Sequence, residues 1–108
     1  MSEFLPVCPV EELPLGAIRV VNIGDREVAL VNVEGQIYAL ENICPHRGGP
    51  LGFGDLQGHL LHCPLHAWPF DVRTGRCALN PEARVATFEV QIRGGMILVA
   101  SRERTCAS

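Results

Sequence analysis

A chain of 108 residues with a net charge of −3 is the size of one domain, with room for a modest core and something to gain from a metal staple. Hydrophobic residues make up 47% of it, which excludes a disordered polar chain, and the acidic balance argues against nucleic acid as a partner. No apolar run nears the roughly 20 residues that span a bilayer, and no basic leader precedes an apolar stretch, so a cytoplasmic protein with no membrane partner is expected.

Residues 4–10 are apolar but broken by Pro6 and Pro9, which predicts a short edge strand, where a missing N–H is tolerated. A turn segment covers residues 11–16. Residues 17–23 are β-branched and apolar and end in a Gly24-Asp25 turn. In the next strand, residues 26–33, Val28/Leu30 and Ala29/Val31/Val33 supply apolar side chains to both faces, so burial on both sides is expected. Glu34-Gly35 turns the chain into a strand over residues 36–40. From Asn42 to Gly58 glycine and proline dominate without any period, which predicts a structured loop carrying function. Short strands follow at 59–62 and 68–72, then a turn at 73–76 and a connection at 78–83 containing Asn80-Pro81. Residues 85–92 alternate, with Phe88, Val90 and Ile92 on one face and Thr87, Glu89 and Gln91 on the other. Arg93-Gly94-Gly95 turns the chain into a last strand at 96–100, and the polar residues 101–108 are expected to fray. Short, evenly spaced strands with two-residue turns and no helical period indicate an all-β protein, an antiparallel sandwich or small barrel.

Two strings in this frame carry chemistry. Cys44-Pro45-His46 is followed, after sixteen intervening residues, by Cys63-Pro64-Leu65-His66. Each supplies one thiolate and one imidazole. A zinc hairpin usually contributes two like ligands, whereas one of each per loop suits two metal ions, one taking both sulfurs and the other both nitrogens. That is the ligand set of a Rieske [2Fe–2S] centre. A single structural zinc on Cys44, His46, Cys63 and His66 is the competing reading. His59 and His62 precede the second loop on a strand and are expected to be bystanders. Trp68 either packs in the core or sits at the tip beside the ligands. Five cysteines cannot form a complete disulfide framework, so Cys8, Cys77 and Cys106 are expected to be free thiols.

The spacing C-x-H-x₁₆-C-x-x-H, continued by Trp68-x-Phe70-Asp71 and Thr74-Gly75 and supported by Gly48-Gly49-Pro50-Leu51-Gly52, resembles the soluble Rieske ferredoxins. The likeness is greatest to the electron-carrier components of ring-hydroxylating dioxygenases and to the small subunit of assimilatory nitrite reductase. It implies a Rieske-type antiparallel sandwich or barrel base, residues 1–42 and 77–108, with an inserted cluster-binding subdomain at 43–76, the whole being one domain. It also implies one [2Fe–2S] cluster held by Cys44, His46, Cys63 and His66.

High-potential relatives carry an extra disulfide between the ligand loops and Ser and Tyr hydroxyls near the cluster. The matching positions here are Gly49, Leu65, Trp68 and Phe70, so a low potential is implied, toward the ~−150 mV end of the Rieske range. With the four ligands assigned, no acid–base pair, partnered nucleophile or phosphate loop remains. The expectation is an electron carrier, not itself an enzyme, that links a flavin reductase to a terminal oxygenase. The alternative is a small subunit bound to the large subunit of a reductase such as nitrite reductase, and a third reading is a plain interaction module. Pro45, Arg47, Gly48, Leu65 and Trp68 are the expected partner-docking tip.

Overall fold

The computed structural model describes residues 3–24, 26–42, 51–64, 68–80 and 82–103. Nine strands are present among them: β1 (Phe4–Pro9), β2 (Ile18–Ile23), β3 (Arg26–Val33), β4 (Gln36–Glu41), β5 (Asp55–Gln57), β6 (Leu60–His62), β7 (Pro69–Asp71), β8 (Thr87–Arg93) and β9 (Met96–Glu103). Six of them form one antiparallel sheet in the order β1-β9-β8-β4-β3-β2, and the other three form a small sheet in the order β5-β6-β7. The fold is all-β and antiparallel. The outer strands β1 and β2 approach each other, so the large sheet curls into a near-barrel. No helix among the described residues is long and apolar enough to cross a membrane.

β3 explains the layering. Val28, Leu30 and Val31 are fully buried, and successive side chains point to opposite faces of a strand. Val28 and Leu30 point into the near-barrel, where Cys8, Leu13, Ile37, Phe88, Ile97 and Val99 close around them. Val31 and Val33 point the other way, into a second cluster with Leu40, Leu51, Leu61, Cys63, Phe70 and Val72. The small sheet therefore lies on the outer face of the large one, and the two share a core.

Turn chemistry fixes the hairpins. Glu34 (φ 54°) and Gly35 (φ 94°) both adopt positive φ, the two-residue turn whose twist matches its strands, and Asn32 Oδ1 accepts the Gly35 N–H at 2.8 Å. β3 and β4 pair from Val28↔Glu41 to Val33↔Gln36 without a break.

Three expectations need correction. The chain after Ala100 does not fray at once: β9 continues to Glu103, Ser101 N–H donates to Glu3 O at 2.7 Å, and Glu103 pairs with Phe88. Ladders on both sides outweigh the polar composition there. The stretch from Asn42 to Gly58 is not only loop, because a 3-10 turn at Leu51–Phe53 leads into β5. The alternating strand begins at Thr87 rather than Val85, and its register shifts between Phe88 and Val90. Ile92 stays half exposed at the end of this strand. Val85 instead packs into the cluster under the small sheet.

Candidate metal centre

Cys63 is the one expected ligand among the described residues; Cys44, His46 and His66 lie outside them, as do Pro45, Arg47, Gly48 and Leu65. Cys63 follows directly on β6 and is 2% exposed, against the cluster that contains Leu61 and Phe70. Its thiol is free, and its backbone N–H donates to Trp68 O at 2.9 Å. That bond closes the second ligand loop at its neck, with His66 between the two ends. The first loop is closed in the same way. Leu51 N–H donates to Asn42 O at 3.0 Å, with Cys44 and His46 in the span between.

The two necks are adjacent because of one glycine. A Cβ on Gly54 would strike the carbonyl oxygen of His62, so the backbone leaving the first loop lies directly on the backbone leading into the second. Only a residue without a side chain permits this approach. Leu51 and Cys63 then share one apolar cluster.

The Asp71-Val72-Arg73-Thr74-Gly75 turn anchors the other end of β7. Asp71 O accepts the N–H groups of Thr74 (3.2 Å) and Gly75 (2.6 Å), and its Oδ1 accepts the Arg73 N–H at 2.9 Å. Arg73 Nη2 reaches Asp71 Oδ2 at 2.8 Å. The Arg73 hydrogen bonds hold the Asp71 carboxyl below the usual carboxylate range, and Asp71 in turn raises the guanidinium. Gly75 (φ +81°) faces Val85, whose N–H donates to Gly75 O at 2.8 Å, so this turn is tied to the chain entering β8.

The expected bystanders have other work. His59 meets Tyr38 edge-on with ring centroids 6.0 Å apart, and His62 Nδ1 lies 3.2 Å from Asp55 O. Cys8 and Cys77 are buried free thiols, and burial pushes the Cys8 thiol up. Cys106 lies outside the described residues. Trp68 is half buried and packs against the cluster beneath the small sheet, with Phe70 fully buried beside it.

A free, buried thiol at the neck of two adjoining loops that carry one Cys and two His more is a donor set suited to an iron–sulfur group. The profile of the Rieske [2Fe–2S] domain matches residues 3–89. The chain belongs to the Rieske [2Fe–2S] family. Among its relatives, the ferredoxin component of the naphthalene 1,2-dioxygenase system of Pseudomonas aeruginosa is 38% identical over 99 residues, covering 91% of this chain and 95% of that one. A chain in a complex of reduced oxygenase and oxidized ferredoxin of carbazole 1,9a-dioxygenase superposes with a TM-score of 0.88 at 34% identity, covering 94% of this chain and 96% of that one. A chain assigned as the small subunit of an NADH-dependent nitrite reductase from Mycobacterium tuberculosis superposes at 0.87 over 99% of both chains, but at 22% identity, which speaks for the fold alone. As a Rieske protein the chain carries one [2Fe–2S] cluster and serves electron transfer rather than catalysis.

Proposed function

We propose that this Rieske protein is the ferredoxin of an oxygenase system, accepting one electron from a flavin reductase and passing it to a terminal oxygenase. Its likeness to the naphthalene dioxygenase ferredoxin over 91% of its length carries this reading. Cys44 and Cys63 would hold one iron as thiolates, and His46 and His66 would hold the other as neutral imidazoles. The bound group supplies a one-electron site whose charge goes from neutral to −1 on reduction, an easier step than with four thiolates. The chain's own residues place that site. On this reading residues 1–42 and 77–108 are the base and 43–76 the cluster-binding part.

Pro45, Arg47, Gly48, Leu65 and Trp68, mostly apolar and close in sequence to the ligands, are the proposed docking tip, suited to a small transient interface. Arg47 adds a positive charge that favours acidic partner surfaces. The cytoplasm is the compartment in which such partners would be met. A small subunit of nitrite reductase is the less supported reading, because relatives above 30% identity include oxygenase-system ferredoxins whereas the nitrite reductase likeness stands at 22%.

The test is reconstitution. With a flavin reductase, NADH and a ring-hydroxylating oxygenase depleted of its own ferredoxin, the holo-protein should restore product formation in proportion to its concentration. Failure to restore turnover, combined with tight co-purification on a sirohaem reductase subunit, would establish the alternative instead.

A further inference from the structure

Asn42 stands at the end of β4 and is 2% exposed, one of two buried polar residues among the described ones. Every hydrogen-bonding group it has on its main chain and side chain is used. Its N–H donates to Glu27 O at 3.0 Å, and its C=O accepts the Leu51 N–H at 3.0 Å. Its Oδ1 accepts the Gly52 N–H at 2.6 Å, and its Nδ2 donates to Glu27 Oε1 at 3.2 Å. One residue thus grips both ends of the first ligand loop and fastens them to β3. Packing confirms how tight the neck is. A Cβ on Gly52 would strike Val20 Cγ2 and come within 2.9 Å of Asn42 Oδ1, so the 3-10 turn after the loop has no room to retreat.

We infer that Asn42, oriented by Glu27, is a positioning residue for the cluster: it fixes the width of the first loop's neck and with it the placement of Cys44 and His46. The inference rests on the Rieske reading of those two ligands. Its chemistry is directional. Oδ1 must face Gly52 and accept, so Nδ2 must face Glu27 and donate, and Glu27 must present an acceptor. An Asp at position 42 keeps the bond to Gly52 but turns its second carboxylate oxygen toward the Glu27 carboxylate, which pushes the neck open. A Gln at position 27 can present either a carbonyl or an amide. It therefore suits Asn42 with one orientation and an Asp at 42 with the other.

The substitutions Asn42→Asp and Glu27→Gln, singly and together, test this in the holo-protein. The first readout is the rate at which an iron chelator bleaches the visible absorption. Glu27→Gln should release iron at the wild-type rate. Asn42→Asp should release it about tenfold faster or more, the scale expected when an outer partner of a metal ligand is lost. The double variant should return close to wild type. The low-temperature EPR of the reduced protein should follow the same order, with the g-anisotropy altered in Asn42→Asp and restored in the pair. Ile97→Val, which thins the near-barrel core away from the neck, should lower the melting temperature and leave the EPR signal unchanged. In wild-type protein the amide protons of Leu51 and Gly52 should exchange as slowly as those of β3, a measurement that needs no variant to fold.

Equal release rates in all three variants, or an Asn42→Asp defect that Glu27→Gln does not relieve, would overturn the inference while leaving the Rieske assignment intact. Fast exchange at Leu51 and Gly52 would do the same. A wild-type chain without two irons and two labile sulfides would instead remove the reading on which the inference stands, and the inference with it.

Discussion

Cys63 shows how one residue can serve both stability and function. Its thiol is buried in the cluster under the small sheet while its backbone N–H closes the second ligand loop. Replacing it with Ala should abolish the visible absorption and lower the unfolding temperature together, since metal binding and folding are coupled in small metalloproteins. Iron analysis alongside thermal unfolding checks this, and a variant that keeps its iron would remove Cys63 from the ligand set. Gly54 is a second such residue. Gly54→Ala forces a methyl group onto the His62 carbonyl, and backbone shifts of that kind cost about 1–3 kcal/mol. Denaturant unfolding should show that loss together with faster cluster loss, because the displaced backbone joins both ligand loops.

Asp71 gives a pH dependence whose sign is fixed. Its folded pKa lies below its ordinary value of 3.8, chiefly through the Arg73 hydrogen bond. A depressed carboxylate contributes stability that is fully present above its unfolded pKa and is lost as pH falls through the folded value. Stability should therefore decline below about pH 4, and Asp71→Asn should flatten that decline while lowering stability at neutral pH. The effect should shrink in high salt, since Arg73 is largely exposed. Urea titrations between pH 2 and 7 would read it, and an unchanged acid limb in Asp71→Asn would assign the decline to other carboxylates.

Among the elements, the small sheet depends on the large one. β5, β6 and β7 are three residues each, too short to stand without the shared core of Val31, Val33, Leu40 and Phe70. Phe70→Ala should cost about 3–5 kcal/mol, a large part of the roughly 5–15 kcal/mol that holds such a domain together. Thermal unfolding would show it, and a loss under about 1 kcal/mol would mean that the two sheets are not packed as described.

Much at this scale was legible in the sequence. The apolar alternation on both faces of residues 28–33 announced a doubly covered strand, and that is what β3 is. Glu34-Gly35 marked its hairpin. β5 gave no signal, because Asp55-Leu56-Gln57 is too short to establish a period inside a glycine-rich stretch. The last residues of β9 were hidden by their polarity, which backbone pairing of that strand with β1 and β8 outweighs. The clamp at Asn42 had no signal either, since an Asn before a loop is ordinary and only its partners Glu27 and Gly52 make it particular. The expected ligands were the clearest feature, because one Cys and one His in each of two loops is a pattern that packing alone does not call for.

For the molecule as a whole, a near-barrel carries a small sheet on one outer face, and the necks of the two ligand loops meet beside that sheet. Docking through the loop tip should separate affinity from redox chemistry. Leu65→Glu should slow electron delivery to the oxygenase at sub-saturating concentration and leave the reduction potential nearly unchanged. An unaltered rate would move the docking surface elsewhere. The potential itself should lie toward ~−150 mV, the low end of the Rieske range, since Phe70 is a buried ring with no hydroxyl and Gly49 and Leu65 cannot form a disulfide. The central claim, one Rieske cluster on two cysteines and two histidines, is tested most directly by EPR of the anaerobically purified, dithionite-reduced protein with iron and sulfide analysis of the same sample. The expected result is two irons and two labile sulfides per chain with a rhombic signal whose average g lies below that of four-cysteine clusters. A colourless, EPR-silent protein holding one zinc per chain would contradict it.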